Sequence, residues 1–451
     1  MLRCSSILLA LVAMVPPAAP LPPLPTGWPS QFEIGAADSP GGAAALRATA
    51  PMRFRYQYLA GGVNTGNGWA TWNANGDFPK FYIQESIASG IVPVFTYYQL
   101  LQSKPAGGSE SNADFANLNN TATMTAYYGD LTLFFQKAGA FPSQRVVLHV
   151  EPDFWGYMEQ RSSGDNAAAL PAKVSETGVA ALAGLPSTVA GFARAVVKLR
   201  DLYAPNVTLA YHLSVWGTNV DIAISNPTDA QVDALGIRAA NFYASLGANF
   251  DIVFTDIADR DAAFKQFVDG DGGISWWDAE DFRRSARFLG KFSTTAQKRL
   301  VMWQLPFGNM RMRAQNNSWG HYQDNRVEWL LDDPSRAHLT AFRDAGVVAL
   351  LFGGGASGVT CACDEDGDGV TNPAPIGGNT IASQLAAAGT PPTLTTVNGV
   401  PTLVTPYAAD DDGGYFRWRV WAYYQGGALS LGTKPNPPAN LRIIRSGAPG
   451  P

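Results

Sequence analysis

The stretch RVVLHVEPDFW, residues 145–155, reads as a strand that ends in chemistry. Val146, Leu148 and Val150 form one apolar set, suited to facing a layer of helices. Val147, His149, Glu151 and Asp153 form the alternate set and are expected to point the other way, into a closed sheet. Pro152 fixes the backbone at the turn, and Phe154 and Trp155 supply apolar cover. A carboxyl held against aromatic rings is pushed toward its protonated form and can act as an acid near neutral pH. A second carboxyl in a wetter place stays ionised and serves as base or nucleophile.

Seven other apolar runs resemble this one in length. The eight expected strands are 32–38, 53–59, 91–99, 145–153, 207–216, 250–256, 300–305 and 347–352. Amphipathic stretches lie between them, at 78–88, 124–138, 189–203, 229–246, 279–298 and 336–345, and another follows at 416–424. Asp229 opens one helix, and Gly247 and Gly346 stand where helices stop. Alternation of strand and helix predicts a parallel sheet, and eight repeats of it predict an α/β fold of the (β/α)₈ TIM-barrel type. An open doubly wound sheet is the alternative, but no GxGxxG or GxxxxGK loop follows an early strand. The segments after strands 3, 4, 6, 7 and 8 are long and rich in Gly, Asn, Asp and Trp. In a barrel they gather on the C-terminal face, where active sites lie.

Most strands end in a polar or aromatic residue at one level. Asp38 closes strand 1, Arg55 and Gln57 share a phase on strand 2, and Tyr98 lies at the end of strand 3. His149, His212 with Trp216, Asp256 and Gln304 follow on strands 4 to 7. A core would not hold so many polar groups without partners. Together with Trp155 they read as a substrate-binding ring, with Glu151, Asp153 and Asp256 as candidate catalytic carboxylates. Glycoside hydrolysis needs such a pair flanking the scissile bond. Trp69, Trp72, Trp276, Trp277 and Trp319 fall on the expected top loops. Flat aromatic faces suit sugar rings, and Asn67, Asn219, Asn309 and Gln99 suit their hydroxyls. Trp303 is out of phase with Gln304, which points it outward.

The ten-residue run VVLHVEPDFW resembles the strand-plus-EPD motif of family 6 cellulases, which are secreted TIM-barrel glycoside hydrolases. The resemblance implies that Asp153 is the general acid. The chain departs from that family at Gln99, near the place of its aspartates after the preceding strand. It also departs from the large retaining clan with glutamates on strands 4 and 7, because no Asn precedes Glu151 and strand 7 offers Gln304. The superclass is implied, without a family.

The 451 residues include 46 Gly and 12 Trp, only 15% are charged, and the net charge is −5. Such a chain is too apolar to be disordered. It has no Lys/Arg cluster for duplex nucleic acid. A neutral poly- or oligosaccharide is the expected partner, and a monomer the expected state. Arg3, the apolar run 7–15 and Ala18-Ala19 read as a secretory signal over 1–19. A proline-rich leader follows at 20–30, a single catalytic barrel over 31–433, and a tail over 434–451. No later run is suited to crossing a membrane, so the mature chain is expected to be secreted, extracellular or periplasmic.

The insertion at 353–414 contains Asp364, Asp366, Asp368, Val370 and Asn372, with Gly369 in the turn. This resembles the first part of an EF-hand calcium loop, and the calcium loops of dockerin and thrombospondin type 3 repeats. It departs where Pro375 replaces the last acidic ligand, a place that Asp410, Asp411 or Asp412 could fill. The expectation is a structural Ca²⁺, with no cofactor for catalysis. Cys361 and Cys363 are too close for an easy bridge. Two other functions compete with the hydrolase. One is a metal-dependent barrel hydrolase or isomerase with His149, Glu151, His212 and Asp256 as ligands. The other is a non-catalytic sugar-binding barrel.

Overall fold

Eight parallel strands close on themselves in chain order. They are β1 (Glu33–Ala37), β2 (Phe54–Leu59), β3 (Val92–Tyr97), β4 (Val146–Val150), β5 (Val207–Ser214), β6 (Ile252–Asp256), β7 (Leu300–Leu305) and β8 (Val347–Phe352). Each pairs with the next, and β8 returns to β1 with Ile34 opposite Leu350. The register is continuous except between β7 and β8, where it shifts between Leu300 and Val301 and again between Met302 and Leu305. This computed structural model describes residues 20–258, 260–308, 322–353, 393–397, 400–404 and 413–432. The expected (β/α)₈ barrel is the fold.

The helices form where the pattern placed them, and several short ones are added. They are α1 (Ala43–Thr49), α2 (Phe78–Ala88), α3 (Glu110–Leu118), α4 (Thr121–Gly139), α5 (Phe154–Arg161), α6 (Val189–Tyr203), α7 (Asp229–Ser245), a single turn α8 (Ala262–Phe264), α9 (Ala279–Ala296), α10 (Arg326–Leu331), α11 (Ala337–Asp344) and α12 (Gly413–Gln425). Side-chain caps satisfy free amides at the starts of α4, α6, α7 and α9. Thr228 and Gln231 form a capping box at α7, and Asp278 and Asp281 do so at α9. In the insertion, Thr393–Val397 and Val400–Val404 pair as an antiparallel hairpin. The candidate calcium ligands Asp364, Asp366, Asp368, Val370 and Asn372 lie outside the described residues, as do the signal and the tail. Among the described residues no helix is long and apolar enough to cross a membrane.

The leader from residue 22 and helix α12 are tied to the base of the barrel. In the leader, Trp28 stacks on Phe54 with ring centroids 5.1 Å apart. Arg145 and Arg299 donate to the carbonyls of Thr26 and Pro22. From α12, the Tyr424 hydroxyl donates to Glu33 Oε2 at 2.8 Å and the Tyr423 hydroxyl to the Phe32 carbonyl at 2.7 Å. Gly35 is required where β1 meets β2, because a Cβ there would stand 2.4 Å from the Phe54 carbonyl oxygen.

Strand β2 has the phase opposite to the one expected. Tyr56 and Tyr58 point inward, their rings 5.9 and 5.8 Å from that of Trp303. Arg55 therefore points into the helix layer and is fully buried. Its guanidinium meets Asp38 at 3.2 Å and Glu85 at 2.9 Å, and it lies over the Tyr82 ring at 3.7 Å. Asp38 and Arg55 are thus structural. Gln57 shares their phase, and its Oε1 accepts from the Tyr58 amide at 3.0 Å. Removing one partner of a buried ion pair leaves the others uncompensated. Arg55→Ala is expected to lower the unfolding free energy by about 3–5 kcal/mol, read by urea denaturation.

Candidate active site

A cleft of about 670 Å³ opens at the C-terminal mouth. It is bounded by residues at or just beyond the ends of five consecutive strands: Tyr98 after β3, Asp153 after β4, Trp216 after β5, Asp256 closing β6 and Gln304 near the end of β7. Tyr58 from β2, Tyr157 from α5, and Trp277 and Trp303 complete the aromatic wall.

Below the cleft, inward-facing polar side chains form a row across neighbouring strands. Thr96 Oγ1 is 3.3 Å from His149 Nδ1, and His149 Nε2 is 2.9 Å from His212 Nδ1. His212 Nε2 then faces Asp256 Oδ1 at 3.2 Å. Both imidazoles are fully buried. Phe254 and Trp303 pack on His149 with centroids 4.7 and 4.8 Å away. Burial first, and His212 second, hold the His149 ring neutral by pushing its pKa well below the usual range. One ligand-type atom each from Asp153, His212 and Asp256 lies within 4.8 Å of the others. These are the residues placed to hold a metal. The set expected from sequence is not assembled, because His149 stands behind His212 and Glu151 points elsewhere.

The backbone beyond β4 decides which carboxyl reaches the cleft. Alternation stops at Val150, where the strand ends. Glu151 takes φ 47° and Asp153 φ 65°, so the even spacing of a strand no longer governs them. Asp153 emerges in the cleft at the start of α5. Glu151 turns into the wall and is 1% exposed. Its oxygens accept from the Gln99 amide at 3.2 Å and the Leu100 amide at 3.4 Å. Burial, opposed by those hydrogen bonds, pushes its pKa up to about 8. Trp155, expected in the substrate ring, belongs to α5 and packs outward against Phe192 and Tyr211 at 5.6 and 5.2 Å. Its Nε1 donates to the Val150 carbonyl at 2.8 Å. Two residues later, Tyr157 takes the cleft position and pairs with Trp216 at 4.7 Å.

At β7 the register shift turns both Trp303 and Gln304 toward the axis, which overturns the outward reading of Trp303. Gln304 has φ 56°, and its Oε1 accepts from the Tyr58 hydroxyl at 2.6 Å. Trp69 is a structural residue that donates to Asp130 Oδ1 at 2.7 Å, and Trp72 lies outside the cleft on the Phe78 ring at 5.0 Å. Asn309 and Trp319 are outside the described residues. Sequence reasoning missed Glu110, Tyr58 and Tyr157. The Tyr98 hydroxyl donates to Glu110 at the cleft wall. Burial raises the Glu110 pKa, against the opposing effect of that bond. The signal for Tyr58 was present in the alternation of Tyr56 and Tyr58. Glu110 sits on a short loop helix with no pattern to reveal it.

The chain matches no protein-family model and no curated protein sequence. Solved structures similar to it include glycoside hydrolases of several families, and also an engineered protein and a candidate lyase/mutase from Burkholderia cenocepacia. A Bacteroidetes-affiliated family 5 cellulase is 11% identical, with a TM-score of 0.41, covering 72% of this chain and 82% of that one. A psychrophilic family 10 endo-β-1,4-xylanase is 11% identical, with a TM-score of 0.37, covering 71% and 86%. The Humicola insolens cellobiohydrolase Cel6A is 13% identical, with a TM-score of 0.35, covering 73% and 82%. These are distant overlaps, and the fold rests on the strand pairing described above.

Glu151 and Glu159 are both buried carboxyls with pKa pushed up to about 8, desolvation being the main cause in each. Their folded forms hold a proton that the unfolded chain has released above about 4.5. The stabilisation is therefore complete below that value and is lost as the pH climbs toward 8. Each group contributes a slope of about 1.4 kcal/mol per pH unit in that window. Glu151→Gln keeps a neutral side chain of the same shape. Its melting temperature is expected to fall less than that of the wild type between pH 5 and 8. Identical slopes would refute the burial argument.

Proposed function

We propose that the chain is a secreted glycoside hydrolase acting on a neutral poly- or oligosaccharide, with Asp153 and Asp256 flanking the scissile bond. The observation that carries this reading is the placement of those two carboxyls. Their facing oxygens lie within 4.8 Å across the mouth of a cleft walled by Tyr58, Tyr98, Tyr157, Trp216, Trp277 and Trp303. Carboxyls separated by roughly 5 Å fit direct attack on the sugar and a covalent intermediate. An attacking water would need roughly 6.5–9.5 Å. The spacing therefore favours retention of configuration.

Asp256 is assigned as nucleophile, since it closes β6 on a rigid strand and is backed by His212. Asp153 is assigned as acid and then base. It lies at the start of α5 and is the residue that the EPD resemblance singles out. As Asp256 attacks the anomeric carbon and the glycosidic bond breaks, Asp153 gives its proton to the departing glycosidic oxygen, leaving a glycosyl ester on Asp256. Asp153 then takes a proton from the water that releases the sugar. Tyr98 with Glu110, and Tyr58 with Gln304, offer hydroxyl and amide groups for sugar hydroxyls. The aromatic wall covers the ring faces. Secretion rests on the signal at 1–19, which lies outside the described residues.

The test is a panel of neutral β- and α-glucans, xylans and mannans, with reducing ends measured and the first anomer followed by NMR. Wild type is expected to release product with retained configuration. Asp153→Asn and Asp256→Asn are each expected to lose roughly 1,000-fold in rate. Folded variants that keep full activity would sink the assignment, and inversion would remove Asp256 as nucleophile.

A further inference from the structure

We infer that Asp153, His212 and Asp256 form a binding site for one divalent transition-metal ion. His212 Nε2 and Asp256 Oδ1 are buried, and among the described residues neither has an aligned hydrogen-bond partner, although they lie 3.2 Å apart. Two atoms bound to a common ion at roughly 2.1 Å stand about 3.0–3.4 Å from each other. The pair is thus spaced as ligands are, and Asp153 brings a third donor within 4.8 Å. The His212 side chain is fully buried, so an unused ring nitrogen aimed at two carboxylates is costly unless something occupies the space.

The surroundings suit this role. A ligating imidazole must present a bare nitrogen, which requires the proton on its other one. His212 Nδ1 faces His149 Nε2 at 2.9 Å, and His149 can accept that proton while its own Nδ1 donates to Thr96. The buried row thereby sets the tautomer of His212 and directs the Nε2 lone pair at the carboxylates. One imidazole with two carboxylates favours Zn²⁺, Mn²⁺ or Fe²⁺ over Ca²⁺, which takes oxygen ligands alone. The cleft side leaves positions open for water. Such an ion would occupy the oxygens that the proposed hydrolase uses. Metal and glycoside then compete, a consequence that rests on the hydrolase reading, whereas the binding itself does not.

The experiment is a calorimetric titration of the chelator-treated full chain with Zn²⁺, alongside Asp256→Asn, His212→Gln and His149→Phe, with folding checked by circular dichroism. Wild type is expected to bind one ion at this site. Asp256→Asn, at the cleft rim, should weaken that binding by about 100-fold or more. His149→Phe, which touches no ion, should weaken it by roughly 10–100-fold. Zn²⁺ should also slow any hydrolysis found in wild type. No saturable binding, or equal affinity in wild type and Asp256→Asn, would overturn the site. An ion bound as expected in a chain that hydrolyses no glycan would support the site and remove the hydrolase reading.

Discussion

Two imidazoles meet 2.9 Å apart inside a parallel barrel, and the mouth is organised around that contact. A barrel interior is filled with side chains, and polar ones are tolerated only when they satisfy each other. Thr96 of β3 is in register with His149 of β4, and His212 lies two residues beyond Ala210, the residue opposite His149 on β5. Phe254 and Trp303 pack against the rings and keep water out. What this row leaves over is a single ring nitrogen at its upper end. That nitrogen faces Asp256, so the position of the carboxylate follows from the packing below it.

A second constraint acts where strands end. Glu151, Asp153 and Gln304 all have positive φ, an uncommon conformation for residues with side chains. Each lies at or beyond the end of a strand that feeds the cleft, where strain of this kind is concentrated in functional sites. Its effect is to re-aim side chains. Asp153 is delivered to the cleft, Glu151 is hidden behind the wall, and Gln304 joins Tyr58. Two carboxyls two residues apart thereby acquire opposite environments, one lining the cleft and one buried with its pKa pushed up.

The periodicity of the sequence carried the barrel. β7 and β8 match the expected ranges to the residue, and the other strands to within a few. The inward phase was also legible on β4 and β5, where His149 and His212 each share a face with the expected inward set. It failed on β2, where Tyr56 and Tyr58 compete with Arg55 and Gln57 and both sets are amphipathic. There a charged residue found its partners, Asp38 and Glu85, in the helix layer. It failed for Trp303 because a register shift lets two consecutive residues face the axis. It failed for Trp155 because the strand had already become a helix. Loop residues such as Glu110 have no period and were out of reach.

The central claim is that Asp256 attacks the sugar while Asp153 handles the proton. Mechanism-based labelling tests it most directly: incubation with activated 2-deoxy-2-fluoro glycosides, then peptide mass spectrometry of the trapped chain. A single sugar adduct on the peptide carrying Asp256, absent in Asp256→Asn, is the result this account predicts. An adduct on Glu151 or Glu110, or an active enzyme that traps none, would contradict it.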